Sequence, residues 1–297
     1  MKLGIALGGG GAKGLAHIGV LEALEETGLN LKYVAGTSIG AIVGAIYCLE
    51  GSAKNLREIT RSIIESEDFK QLGLDKFYTI GTSKFETFKK KLFEKYYFGT
   101  LLFKKSILKI EATERLFKKL FGNSTFTDLK IPLVCNSLDI NSGEEIIFTS
   151  GPLYKAVWAS CAIPGIFPPL YENERIFIDG GTINNIPIEP LLNIGARKII
   201  AVYLGDIPKF DKEPDTGFLI TQRALSFMKY HLDKRILKRA DCVITPDVKE
   251  FHWADFTLME DLIQKGREAV LQRIDKIKHI TKFWYGLKKS FLKIKRG

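Results

Sequence analysis

A serine held between two glycines, in Gly36-Thr37-Ser38-Ile39-Gly40, is the feature that most restricts what this chain can fold into. The run 31–35 before it predicts a short strand, and the run 39–46 is apolar on every face, which predicts a buried helix. A serine in a sharp turn between strand and helix has a strained backbone that lifts its hydroxyl clear of the sheet, and its neighbours two residues away must be small. The pattern predicts a nucleophile elbow and covalent acyl chemistry at Ser38. The alternative is an ordinary tight turn with a helix-capping serine.

The composition restricts the class of protein. The 297 residues are 45% hydrophobic and 26% charged, as in a soluble globular protein with one large α/β domain or two small ones. Neither a secretory leader nor a run of roughly 18 apolar residues can be fitted, so we expect a cytoplasmic protein without a membrane span. The net charge of +10 suits a nucleic acid or an anionic membrane surface, but no nucleic-acid recognition motif supports the first.

Cysteine and histidine are sparse. The four cysteines lie far apart without a Cys-x-x-Cys pair, and there are four histidines. The cysteines are therefore interpreted as small core residues of a reducing compartment, with no disulfide framework. We expect no metal site and no cofactor.

Strands and helices alternate along the chain. Residues 1–50 have the order strand, glycine turn, helix, repeated once, which is typical of a parallel sheet covered by helices. Apolar runs predict further strands at 131–140, 145–149, 175–178, 198–204 and 242–245, and further helices at 153–162, 218–239 and 256–276. The predicted fold is therefore α/β, with three layers in the order α/β/α around a mostly parallel sheet.

A first glycine turn, residues 8–14, also joins a strand to a helix, so its bare N–H groups would form an anion site. A Walker phosphate loop is excluded, because Lys13 precedes the last glycine. A dinucleotide fingerprint fits as Gly9-x-Gly11-x-x-Gly14, but the acidic residue that should end the next strand is replaced by the serine turn. We favour an oxyanion hole, because adjacent parallel strands would bring both turns to the same sheet edge.

A serine nucleophile needs a base. His17, on the first helix between apolar neighbours, is more typical of a packed structural residue, and the other histidines lie in segments without a motif. Asp179 ends an apolar strand, where active-site residues of open α/β sheets collect, and a buried carboxylate with a raised pKa can accept a hydroxyl proton. The alternative is a turn-forming aspartate before two glycines.

Four sequence blocks occur in a characteristic order. They are Gly9-Gly10-Gly11-Ala12-Lys13-Gly14, Gly36-Thr37-Ser38-Ile39-Gly40, Ala159-Ser160-Cys161-Ala162-Ile163-Pro164 and Asp179-Gly180-Gly181. Over roughly residues 3–205 the chain resembles the patatin-like phospholipases, and four ordered blocks make the resemblance specific.

The resemblance implies a lipid acyl hydrolase of the phospholipase A, lysophospholipase or carboxylesterase type. By it, Ser38 and Asp179 correspond to a catalytic dyad without histidine that works through an acyl-enzyme and needs no metal. The matched glycines are Gly9, Gly10 and Gly11 for the oxyanion hole, and Gly14, Gly36, Gly40, Gly180 and Gly181 as supporting motif positions. Two alternatives stay open: an acyltransferase with the same dyad, and a non-catalytic lipid-sensing regulatory protein.

Two segments suggest contact with lipid, the second at the inner face of an anionic membrane. Residues 68–126 are rich in Phe and Lys, which predicts a lid or cap inserted into a domain spanning 1–275; the alternative is a pair of amphipathic helices packed on the core. The tail 276–297 predicts a basic amphipathic helix that anchors at the interface; the alternative is a helix docked on its own domain or on a second subunit. The apolar stripe of the tail consists of Ile277, Ile280, Trp284, Leu287, Phe291 and Ile294.

Overall fold

One mixed β-sheet organises residues 2–74, 103–210 and 213–280, which are those that the computed structural model describes. Among these residues, eight strands have the order β5-β6-β3-β2-β1-β7-β8, and β4 pairs with β3 outside this path. The strands are β1 (Leu3–Leu7), β2 (Tyr33–Gly36), β3 (Leu133–Asp139), β4 (Glu145–Phe148), β5 (Leu170–Glu172), β6 (Arg175–Asp179), β7 (Lys198–Val202) and β8 (Cys242–Ile244).

Helices cover both faces of the sheet. They are α1 (Ala16–Glu26), α2 (Ile39–Glu50), α3 (Ala53–Glu65), α4 (Glu67–Lys70), α5 (Ile110–Phe121), α6 (Leu153–Cys161), α7 (Ile188–Asn193), α8 (Gly217–Leu237) and α9 (Met259–Leu271). One buried cluster joins α1, α2, α6 and α9 to one face, and a second joins α7 and the end of α8 to the other. The predicted three-layer α/β fold is confirmed.

The strand directions divide the sheet into two parts. Strands β3, β2, β1, β7 and β8 are mutually parallel, whereas β4, β5 and β6 are antiparallel to their neighbours. Leu7 at the end of β1 lies opposite both Gly36 and Val202. The glycine turn after β1 and the serine turn after β2 therefore leave the same edge of the sheet, as predicted from the alternation of elements.

Two of the sequence predictions concern the cysteines and membrane-spanning helices. The four cysteines are free thiols buried in the protein, which confirms their interpretation as core residues. In the described part of the chain, no helix has both the length and the apolar character needed to cross a bilayer.

The predicted lid and tail lie partly outside the described residues, because 75–102 and 281–297 are not among them. At the described ends of the lid region, Leu72, Leu74 and Leu116 pack with Ile166 in a small cluster. The first two residues of the tail's apolar stripe, at 277 and 280, are buried in the main core. The packed domain thus reaches residue 280, and any independent tail begins after it.

Helices α1 and α9 contact each other closely at two glycines, Gly19 and Gly266. A Cβ on Gly19 would lie 1.8 Å from the carbonyl oxygen of Ile263, and one on Gly266 would lie 2.0 Å from the carbonyl oxygen of Ala16. The two backbones are therefore in direct contact, which only residues without a Cβ permit.

Substituting Gly19→Ala should lower the free energy of unfolding. Forcing the two helices apart should cost about 3 kcal/mol, at the upper end of the overpacking range, which exceeds the helix-propensity gain of about 1 kcal/mol. Urea unfolding followed by circular dichroism measures the change. Gly217→Ala is the matched control, since a Cβ there meets no atom within 4 Å; equal losses in both variants would contradict the packing argument.

Candidate active site

Ser38 lies in the turn between β2 and α2, in a backbone conformation that non-glycine residues rarely adopt. Its φ is 55° and its ψ is −125°, so the backbone is strained. A Cβ on Gly36 would lie 2.2 Å from the carbonyl oxygen of Gly40, and one on Gly40 would lie 2.1 Å from that of Leu7. Both glycines are sterically required, and the turn has the geometry that the sequence predicts.

Hydrogen bonds from distant elements hold this turn. The backbone N–H of Ser38 donates to the hydroxyl of Ser160, on α6, at 2.9 Å. The hydroxyl of Thr37 donates to the side-chain oxygen of Asn136, on β3, at 2.7 Å. Sequence reasoning assigned no role to Ser160 or Asn136, although Ser160 lies in one of the four blocks.

Asp179, at the end of β6, meets Ser38 side chain to side chain. The N–H of Gly181 donates to Oδ1 of Asp179 at 2.7 Å, and the Ser38 hydroxyl lies near enough to the carboxyl group to lower its pKa. Burial raises the pKa of Asp179 to about 6, while the hydrogen bonds from Ser38 and Gly181 and the charge of Lys229 act in the opposite direction. The carboxylate therefore combines the turn-forming role with contact to the serine hydroxyl.

The strand that delivers Asp179 does not run in the expected direction. The expectation was a strand end at the carboxyl edge of an open sheet, but β6 is antiparallel to β3. The end of β2, Gly36, pairs with Cys135 of β3, and β3 continues beyond that pair. Asp179 pairs with Ser137, two residues further along β3, which places Asp179 at the level of Ser38. Gly180 then turns tightly against β3, since a Cβ there would lie 2.5 Å from the carbonyl oxygen of Asn136.

The first glycine turn faces Ser38, but the backbone N–H groups of Gly9, Gly10 and Gly11 differ in whether they are already hydrogen-bonded. A Cβ on Gly9 would lie 3.3 Å from Cβ of Ser38, yet the N–H of Gly9 already donates to the carbonyl of Asn185 at 3.2 Å. In the part of the chain that the structure describes, the N–H groups of Gly10 and Gly11 take part in no backbone hydrogen bond. Gly10 and Gly11 are thus the amides that this turn leaves available to an anion.

His17 supports the glycine turn through a hydrogen bond to its first residue, Gly8. It is fully buried, and its Nε2 donates to the carbonyl of Gly8 at 2.7 Å. Burial lowers the pKa of His17 to about 4, so the ring is neutral at neutral pH. The interpretation of His17 as a structural residue is confirmed.

Lys229 and Asp233, both on α8, extend the polar network beyond the sequence motifs. Nζ of Lys229 donates to the carbonyl of Gly181 at 2.7 Å and lies 3.9 Å from Oδ2 of Asp233. Asp233 is buried, and burial raises its pKa. Nothing in the local sequence marks these residues, because they lie about 50 positions from Asp179 and reach it only through the tertiary fold.

Two cavities of opposite character meet at Ser38. The first has an empty volume of about 860 Å³ and apolar walls; the second is an open cleft of about 1480 Å³ with charged and aromatic walls. Ser38, Gly11, Ile163 and Trp253 border both. The apolar walls come mainly from α2, α3 and α5 (Ile42, Val43, Ile46, Ile63, Leu116, Phe117 and Leu120), and the cleft walls include Lys13, Asp206, Tyr203, Lys229, Tyr230 and Asp233.

Metal chemistry has no assembled ligand set here. Within residues 2–74, 103–210 and 213–280, no group of three or more His, Cys, Asp or Glu side chains is arranged to hold a metal ion. The groups that the structure brings together around Ser38 are its hydroxyl, the Asp179 carboxylate and the amides of Gly10 and Gly11.

Comparisons with known proteins identify the relatives of this site. Residues 5–192 match the family described as "Patatin-like phospholipase". The chain is 34% identical over 211 residues to neuropathy target esterase sws of Drosophila melanogaster, covering 69% of this chain and 13% of that protein. It is 31% identical over 208 residues to lysophospholipase NTE1 of Mycosarcoma maydis, covering 70% of this chain and 10% of that protein.

A human relative matches a longer stretch. Patatin-like phospholipase domain-containing protein 6 of Homo sapiens is 32% identical over 251 residues, covering 84% of this chain and 16% of that protein. The chain therefore spans between 10% and 16% of the length of these three relatives. The match over 5–192 contains Ser38, Asp179 and the glycine turn, and on this evidence the chain belongs to the patatin-like phospholipase family.

Proposed function

We propose that this protein is a serine lipid acyl hydrolase, of the phospholipase A or lysophospholipase type, that works through a Ser38–Asp179 dyad. The observation that carries the proposal is the position of Ser38: its side chain lies beside Asp179, at the place where an apolar cavity opens into a polar cleft. A fatty acyl chain fits the first and a polar head group the second. The relatives named above, an esterase and a lysophospholipase, support the same chemistry.

The chemistry follows from the contacts. Asp179 accepts the proton of Ser38 as the serine oxygen attacks the ester carbonyl carbon. The C–O bond to the alcohol then breaks as Asp179 gives that proton to the leaving oxygen, which leaves the carboxylate ionised again. The amides of Gly10 and Gly11, together with the N-terminus of α2 directly after Ser38, stabilise the negative charge on the carbonyl oxygen. Water activated by the same carboxylate then releases the fatty acid.

Ser38→Ala and Asp179→Asn should each lower ester hydrolysis by about a hundredfold or more, because each removes a group that reacts or transfers a proton. Initial rates with p-nitrophenyl esters measure the loss. Ser62→Ala and Asp261→Asn, at exposed positions on α3 and α9, are matched controls that should keep full activity. Retained activity in the Ser38 variant would contradict the proposal. If the unsubstituted protein, given glycerol, forms acylglycerol in place of free fatty acid, it is an acyltransferase.

The activity should depend on pH through Asp179. With a pKa of about 6, the carboxylate is ionised and able to accept a proton above that pH, so kcat/KM should fall as the pH drops through about 6. Lys229→Met removes a charge that lowers the pKa of Asp179, so the acidic limb should move to higher pH. Lys229→Arg keeps the charge and is the control. A limb near pH 4 in the unsubstituted protein would contradict the assignment of the base.

The apolar cavity should select for acyl length. Ile63→Trp, on α3, narrows the cavity and should lower kcat/KM for a dodecanoyl ester by about tenfold while the butanoyl ester stays within about twofold. Ile59→Trp changes a half-buried residue of the same helix that does not line the cavity. Rates across a series of p-nitrophenyl esters give the comparison. Equal effects of the two substitutions on long esters would place the acyl chain elsewhere.

A further inference from the structure

Helix α8 carries a broad apolar surface that no described residue covers. Of its 21 residues, only Asp233 and Leu237 are buried. Exposed fractions reach 56% at Ile220, 51% at Leu225 and 66% at Met228, and Phe227 and Leu232 are also exposed. At helical spacing these five residues form one outward face over the first four turns.

Such a face needs a partner in the functional state. Single exposed apolar residues are common on soluble proteins, but a contiguous exposed patch marks an interaction surface. The patch continues into the preceding loop, where Ile207 and Phe210 are exposed and Phe210 contacts the ring of Phe227 at 5.9 Å.

The opposite face of the same helix forms a wall of the polar cleft. Ser226, Lys229, Tyr230 and Asp233 line that cleft, and so do Lys209 and Phe210 of the loop. Phe210 belongs to both the patch and the cleft lining, so the apolar patch adjoins one side of the cleft through which a substrate would approach Ser38.

Cations outnumber acidic residues around the patch, because residues 207–235 contain six Lys or Arg and four Asp or Glu. Residues 216–232 contain no Asp or Glu. Within or beside this span lie Lys209, Arg223 and Lys229, and the guanidinium of Arg223 stacks 4.5 Å from the ring centre of Phe210. Apolar side chains combined with an excess of cations match an anionic lipid surface, because the side chains enter the acyl boundary while the cations meet phosphates.

We propose that the outward face of α8, with residues 207–210, docks on an anionic lipid surface and holds the mouth of the polar cleft against it. This inference rests on the proposed lipid hydrolase function for its choice of partner. It assigns membrane contact to a part of the chain other than the tail and lid that the sequence suggested. Docking at α8 would deliver a lipid to Ser38 without full transfer through water.

A fluorescent probe at the patch tests this directly. In a full-length Ser38→Ala background, which leaves vesicles intact, Met228→Cys is labelled with an environment-sensitive fluorophore; the four native cysteines are buried. Vesicles of equal parts phosphatidylglycerol and phosphatidylcholine should shift the emission to shorter wavelength. Leu271→Cys, at a residue 64% exposed on α9, is the matched control and should show no shift.

Other occupants of the patch give different results. If a second copy, or a segment of this chain, covers α8, the probe at position 228 is already shielded without vesicles and does not respond to them. If the tail alone binds lipid, the protein sediments with vesicles while the probe at position 228 stays unchanged. Either result overturns the proposal.

Kinetics separate this inference from the proposed function. The double variant Leu225→Glu/Met228→Glu should lose at least about tenfold in kcat/KM on vesicle phospholipid, because charges oppose insertion, and stay within about twofold on soluble p-nitrophenyl butanoate. Leu271→Glu should change neither rate. Equal loss on both substrates, or no loss on vesicles, overturns docking at α8. Failure of the unsubstituted protein to hydrolyse the soluble ester would instead refute the hydrolase, whatever the probe at position 228 reports.

Discussion

The backbone of Ser38 can hold its strained conformation because neighbouring elements close on the turn from several sides. Gly40 lies against the end of β1, Gly36 against Gly40, and Ser160 accepts the hydrogen bond of the Ser38 amide. A positive φ at a serine is costly and persists only where the surroundings determine it. The fold thus supplies the energy that keeps the hydroxyl at the sheet edge, facing Asp179 and the glycine turn.

Opposing effects determine the pKa of one buried carboxylate at the site, that of Asp179. Burial raises the pKa of Asp179 and so favours the protonated acid, which could not accept a proton from Ser38. Hydrogen bonds from Ser38 and Gly181 and the charge of Lys229 favour the ionised form, so that the pKa lies near 6. Lys229, on α8, also donates a hydrogen bond to the carbonyl of Gly181. The N–H of the same glycine donates to Asp179, so Lys229 and Asp179 are connected through Gly181.

The two faces of α8 link this balance to the surface of the molecule. One face contributes Lys229 and Asp233 to the cleft, and the other is apolar and exposed. A single rigid helix therefore joins the polar network at the dyad to the patch at the cleft mouth. The opposite side of Ser38 leads into the apolar cavity between α2, α3 and α5. A substrate with an acyl chain and a polar head would span both spaces.

Local rules in the sequence were enough to predict the elbow at Ser38, the glycine turn, the candidate Asp179 and the layered fold. These features depend on sterics and periodicity within a few residues, as at Gly36 and Gly40. The contacts of these residues with partners far away in the sequence depended on the tertiary structure.

Only the fold decided that β6 runs antiparallel to β3, and that the register of β3 places Asp179 level with Ser38. It also engaged the Gly9 amide with Asn185 and brought Lys229 to the site. Each of these contacts joins residues about 40 or more positions apart. Strand pairing and helix packing determine such contacts, and a local pattern of residue types contains no information about either.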